Sequence, residues 1–184
     1  MRRASPRLAS ALAALFVLIL GGCSRLAEAN TAPSPPSYDW PAEAAGLACG
    51  LLDFGTVAKE LGTAFDTAGG AQVDNTVTCV VTRRGQDYPE LSVSLSASSV
   101  DDLLYAYSIE PAGATPVQKL GRAAYLLEIA ADSRHGPGLE YGWLSAKPRL
   151  GVVRYTFAPG AQQADVDAMA PKLLTLAQRV EKTP

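Results

Sequence analysis

The sequence predicts an α+β domain, a twisted antiparallel sheet of about five strands with helices packed mainly on one face. Three observations predict it. Residues 76–83 and 91–98 alternate apolar and hydroxyl-bearing side chains, the period of two that a half-buried strand requires. Three further strand-like runs, 123–131, 139–147 and 150–158, are joined by short connections that favour antiparallel neighbours. Residues 163–180 place Val166, Met169, Leu173, Leu176, Ala177 and Val180 at steps of three and four, the stripe of a helix lying on a sheet. The order helix, two strands, helix, three strands, helix is that of an α+β domain.

Taken in order, Asp53 is placed to cap a short helix ending near Leu61. Val57, Ala58 and Leu61 form its inner side, and Gly62 stands where a helix stops. In the first strand Val77, Cys79 and Val81 share one side. Gly85 to Pro89 is expected to turn the chain into the second strand, where Leu91, Val93, Leu95 and Ala97 alternate with Ser92, Ser94, Ser96 and Ser98. Ser99 is expected to cap the next helix, with Asp101 and Asp102 in its first turn and Leu103, Leu104 and Tyr107 on its apolar side. The expected core faces of the last three strands are Tyr125, Leu127 and Ile129, then Tyr141 and Trp143, then Val153, Tyr155 and Phe157. The final helix contains Pro171, which removes a hydrogen bond and predicts a kink or break.

Several of these residues invite a chemical reading. The serine ladder lacks a neighbouring base and a Gly-x-Ser-x-Gly turn, so it reads as the wet face of a sheet rather than a nucleophile. The aspartate pair falls short of the six or more oxygens calcium takes and reads as helix capping. Asp132, Ser133 and His135 sit together in one loop, where adjacent side chains seldom converge on one point. His135 itself reads as an exposed residue at a loop tip.

Three chain-wide features bound the function. The first 22 residues combine a cationic head (Arg2, Arg3, Arg7), the uncharged apolar run Leu8–Leu20 and a small-residue end, the parts of an export signal. That run is shorter than the roughly 20 apolar residues of a membrane span. Removing the three arginines from sixteen basic residues leaves thirteen against eighteen acids, a net charge of -5. Such a chain is poorly suited to nucleic acid, whose backbone demands clustered cations. Residues 23–40 are rich in Ala, Ser and Pro without apolar periodicity, the composition of a flexible tether. A single globular domain over residues 41–184 is expected to follow.

Leu20-Gly21-Gly22-Cys23 resembles the bacterial lipobox, in which the cysteine is acylated and begins the mature protein. A plain signal peptide and an uncleaved anchor are the rival readings. In an exported chain the remaining cysteines, Cys49 and Cys79, read as a disulfide, with free thiols as the alternative. A zinc site would need four closely spaced ligands, and His135 alone does not supply them. The lipobox, the Pro/Ser tether and Cys49 followed by Leu51-Leu52 form the first half of a wider likeness. Leu61-Gly62, Cys79 and Leu120-Gly121-Arg122-Ala123-Ala124 complete it. The chain resembles the small actinobacterial membrane-anchored lipoproteins of unknown function that carry a cysteine pair. That resemblance implies a disulfide-linked domain on the extracytoplasmic side of the cell membrane and transfers no catalytic residue.

The expected function is therefore a non-catalytic binding or accessory module of the cell envelope, not an enzyme. Cys23 is its lipidation site, Cys49 and Cys79 its disulfide, and no metal or cofactor is expected. Its expected partners are the membrane, through the lipid anchor, and an envelope protein or apolar ligand. The alternative is a carrier of a lipid or other apolar molecule, with Trp143, Tyr141, Tyr155 and Phe157 lining the space between sheet and helices. An envelope hydrolase built on Asp132, Ser133 and His135 is the more remote third reading.

Overall fold

The computed structural model describes residues 47–183. The expected signal peptide, Cys23 and the tether of residues 23–40 lie outside the described residues. What is described is an α+β unit with one open antiparallel sheet and three α-helices.

The chain begins with a 3₁₀ helix, Leu47–Leu51, followed by α1, Phe54–Leu61. Asp53 accepts a 2.7 Å hydrogen bond from the Thr56 N–H, which fixes the start of α1. Gly62, at φ 73°, ends it by donating its N–H to the Ala58 carbonyl. Next come β1 (Thr67–Val73), β2 (Thr76–Arg83) and β3 (Gln86–Ala97) as a meander, then α2 (Asp102–Ser108). The rest is β4 (Thr115–Pro116), β5 (Ala123–Ile129), β6 (Gly138–Leu144), β7 (Arg149–Thr156) and α3 (Gln163–Lys182). The strand order is β1-β2-β3-β7-β6-β5-β4, so the last long strand returns to pair with β3 and closes the two meanders into one sheet.

Seven strands replace the expected five. β1 escapes the sequence reading because Gly69 and Gly70 occupy its centre, and glycine carries no strand signal. It pairs through its backbone with Thr76 to Thr82 of β2 across the two-residue turn Asp74-Asn75. β4 is only a two-residue bridge to β5. The turn into β3 is also tighter than expected. Arg84 and Gly85 alone make it, and the register shift between Val81 and Arg83 absorbs the segment before Leu91.

One sheet face holds the main core. Cys79, Val81, Leu91, Val93, Leu139, Tyr141, Trp143, Val153 and Tyr155 meet Val57 and Leu61 of α1 and the apolar stripe of α3. The stripe is buried as the periodicity predicts. Pro171 does not break α3, which runs unbroken over twenty residues. Its turn is an exposed one, and the Thr175 hydroxyl donates to the Pro171 carbonyl at 3.0 Å. The C-terminus of α3 is held from the sheet. Arg149 donates to the carbonyls of Val180, Glu181 and Thr183, while Glu181 accepts from Trp143 Nε1, Ser145 Oγ and the Ala146 N–H.

Two core assignments change. Tyr125 pairs with Gly142 and Ala124 with Trp143, so Tyr125, Leu127 and Ile129 lie on the opposite face from Tyr141 and Trp143. β6 is buried along its whole length, and a strand covered on both sides offers no alternation from which to read a face. The second change concerns α2. Asp101, not Ser99, caps it by accepting the Leu104 N–H at 2.8 Å, and this start turns Tyr105 inward. Leu103, Leu104 and Tyr107 are then exposed, at 70, 48 and 84%.

Candidate functional site

The second face of the sheet carries the molecule's polar chemistry. The strand registers set side chains in rows across it, and Val80, Ser92, Arg154, Glu140 and Leu127 form one such row. Glu140 is 5% exposed, so its carboxylate must be fully partnered. Tyr125 donates its hydroxyl to Oε1 at 2.7 Å, and Arg154 donates Nε to Oε2 at 2.7 Å and approaches the same oxygen with its terminal nitrogen. Burial first, and then the carboxylate it bonds, push the Tyr125 hydroxyl well above its ordinary range.

This arrangement depends on Gly142. A Cβ there would fall 2.3 Å from the Tyr125 ring, so only glycine lets that ring lie across β6. Tyr105 of α2 packs on Tyr125 with ring centroids 6.4 Å apart, and Leu144 completes this small second core. α2 therefore covers the β5–β6 end of the face. Over β2, β3 and β7 the side chains are half-buried or exposed: Val80, Ser92, Ser94, Val152 and Arg154. Part of the serine ladder is internally satisfied. Ser96 shares a hydrogen bond with Thr76 at 2.7 Å and Ser94 with Thr78 at 2.9 Å, while Ser98 caps the Val100 N–H. Ser92, opposite Arg154, takes part in neither pair.

Glu90 lies on the same face as Ser92 and lines a surface cavity of about 590 Å³ with Thr82, Gln86, Asp87, Tyr88 and Arg134. The cavity carries two carboxylates, one guanidinium and an aromatic ring. It is a polar recess, able to hydrogen-bond a ligand and to pair with charge of either sign.

The loop residues singled out in the sequence lie beside Tyr88. Asp132 accepts the N–H groups of Arg134 (2.7 Å) and His135 (3.0 Å), which hold its carboxyl below the usual range. His135 is not an exposed tip. Its side chain is 21% exposed, and its ring lies 5.8 Å from that of Tyr88. Nδ1 is 2.6 Å from the Gly136 carbonyl oxygen and Nε2 is 3.4 Å from Asp132. The loop folds back in this way because a Cβ at Gly136 would meet the Ala158 carbonyl at 2.2 Å, so the chain can pass close to the end of β7. Asp132 and His135 thus touch, whereas the Ser133 hydroxyl makes no hydrogen bond to His135. Among the described residues no group of three His, Cys, Asp or Glu side chains is placed to hold a metal, and no helix is long and apolar enough to cross a membrane.

Cys49 and Cys79 form a disulfide with Cα atoms 4.9 Å apart, and both are fully buried. The bridge does not hold α1 itself. Because Asp53 fixes the start of α1 downstream, Cys49 falls in the preceding 3₁₀ helix and ties that segment to the centre of β2. The aromatic residues proposed to line a carrier space pack against protein instead. Trp143 lies over Gly151 and donates to Glu181, Tyr141 donates to the Ala170 carbonyl, and Tyr155 bonds Thr63 and stacks edge-on with Phe157.

The sequence reading identifies the cysteine pair and the wet serine face. It misses Glu140 and Arg154, whose only sequence signal is a glutamate and an arginine inside otherwise apolar strands, and it places Tyr125 on the main core rather than beside them. No protein-family model matches the chain, and no curated protein or solved structure matches it.

Proposed function

We propose that this chain is an extracytoplasmic lipoprotein, anchored to the cell membrane through acylated Cys23, whose globular unit is a non-catalytic binding module of the cell envelope. The observation that carries the reading is the fully buried Cys49–Cys79 disulfide in the core. Structural disulfides persist in oxidising compartments outside the cytoplasm, in keeping with the cationic head, short apolar run and Leu-Gly-Gly-Cys end of the N-terminal segment. Two or three acyl chains, each buried CH₂ contributing about 0.8 kcal/mol, would hold the protein at the bilayer. The binding surface in this reading is the uncovered part of the second face, from the Ser92–Arg154 pair to the recess lined by Glu90 and Arg134. Its mixed charge and hydroxyl groups suit a polar envelope protein better than an apolar ligand.

Two experiments test the two halves of the reading. Cys23→Ser should move the protein from the membrane fraction to the soluble fraction; retention equal to the parent would overturn the anchor. Capture of envelope proteins by the lipidated parent should weaken when Arg154 and Arg134 are replaced by glutamate. Unchanged capture by that variant would remove the second face as the binding surface.

A further inference from the structure

We infer that the outer side of α2, formed by Leu103, Leu104 and Tyr107, is a second point of contact with the bilayer to which acylated Cys23 ties the chain, an inference that rests on the proposed anchor. α2 turns two sides to different surroundings. At 3.6 residues per turn, Leu103 and Tyr107 stand about 40° apart and each about 160° from Tyr105, with Leu104 on the flank. Exposure follows the same order, highest at Tyr107 and lowest at Tyr105, which is 1% exposed. The interior does not account for this frame. Tyr105 is the one buried residue of α2, and its hydroxyl has no hydrogen-bond partner among the described residues. A buried donor without an acceptor costs free energy, and so do two leucines left in water. A frame turned by half a revolution would bury Leu103 and Leu104 and wet the Tyr105 hydroxyl. The Asp101 cap and the Asp102–Arg122 ion pair at 2.9 Å hold the leucines outward instead.

The size of the patch and the length of chain outside the described residues identify the bilayer as what covers it. Three side chains on two turns offer a few hundred Å², well short of the roughly 800 Å² that each partner gives a stable protein–protein pair. A patch this small holds only a surface that is already close, because tethering makes the second contact intramolecular. For an acylated chain that surface is the bilayer. Cys23 and Leu47 are 24 positions apart, at most about 80 Å of extended chain. The chain enters the folded unit through Ala48 and Cys49 on the main core face, opposite α2. Passing the sheet and the helices on both sides takes roughly 30 Å at about 10 Å a layer, so the connection is long enough for α2 to lie on the membrane. The chemistry of the patch fits the same surface. A tyrosine beside two leucines suits the boundary between water and lipid. Asp101, Asp102 and Glu110 border it in the sequence, so the insertion is apolar and needs no anionic lipid.

Fluorescence of the lipidated chain, purified from membranes and placed in phosphatidylcholine vesicles, tests this contact. Tyr107→Trp puts an indole on the outer side of α2, Val73→Trp puts one at an exposed position on β1, and the parent's two tryptophans set the background. An indole held between headgroups and acyl chains is within reach of bromine on those chains. The emission added by Tyr107→Trp should therefore fall about twofold in brominated phosphatidylcholine, while that added by Val73→Trp should not change. Flotation of the same vesicles separates this contact from the anchor. A chain that floats but whose added emission is unquenched, or is quenched equally at both positions, overturns the α2 contact and leaves the anchor standing. Emission shifted to the blue without bromine quenching overturns it as well, since protein then covers the patch. A chain that does not float removes the anchor and this contact with it. If Tyr107→Trp lowers the melting temperature, Leu103→Trp takes its place at the neighbouring exposed site.

Discussion

Trp143 and Gly151 show how single residues fix this core. The indole lies where a Cβ on the adjacent strand would stand, 2.2 Å from that position, so Gly151 is a packing requirement rather than a turn. Gly151→Ala should destabilise the protein by about 1–3 kcal/mol, the usual cost of overpacking, seen as a lower urea midpoint with an unchanged slope. Four of the seven tyrosines, Tyr105, Tyr125, Tyr141 and Tyr155, are held protonated above their ordinary range, in each case chiefly by burial. A group whose folded-state pKa is raised stabilises fully below its unfolded value and loses that contribution as pH climbs towards the folded one. Stability should therefore hold up to about pH 10 and fall above it. Tyrosinate absorbance measured alongside the unfolding signal checks this, since the four should ionise only as the fold opens. At this scale the sequence was partly legible. Cys49, Cys79, Val57 and Leu61 announce themselves by type and spacing, but Glu140 does not. A carboxylate in a buried strand is readable only once the register brings Tyr125 and Arg154 beside it.

Among the elements, legibility followed periodicity. α3 and β3 carry unbroken apolar patterns and lie where those patterns put them. β1 has none, because its glycines leave only backbone pairing to define it. The inner face of β5 was illegible for the opposite reason, since apolar residues on both of its sides erase alternation, whereas Tyr141 and Trp143 of β6 do face the main core. α2 shows that capping outweighs apolar pattern over two turns. Asp101 sets the helix frame, and Tyr105 follows it inward while two leucines remain outside. The docking of α3 depends on its last turn, where Glu181 satisfies Trp143, Ser145 and Ala146 at once. Glu181→Ala leaves the fully buried Trp143 N–H without its acceptor and should cost about 2–3 kcal/mol. Glu181→Gln, which keeps an oxygen, should recover part of the loss. Thermal unfolding of both variants checks the order, and equal melting temperatures for Glu181→Ala and the parent would deny α3 this anchor.

At the level of the whole molecule, the two sheet faces divide the labour. One holds the disulfide and the core against α1 and α3; the other exposes hydroxyls and charge where α2 leaves it uncovered. In the proposed function, the anchor keeps that second face near the envelope components it binds, and the bridge keeps the 3₁₀ helix that follows the N-terminal segment on the core. Closing a loop of 30 residues stabilises such a unit by roughly 3–4 kcal/mol. Anchor and bridge both require passage across the membrane, and one measurement addresses them together. The intact mass of the protein purified from membranes should correspond to a chain beginning at diacylglycerol-modified Cys23, with two hydrogens fewer than the reduced form for the Cys49–Cys79 pair. A mass that retains residues 1–22 without acylation, with both core thiols free to alkylate after unfolding, would contradict the account.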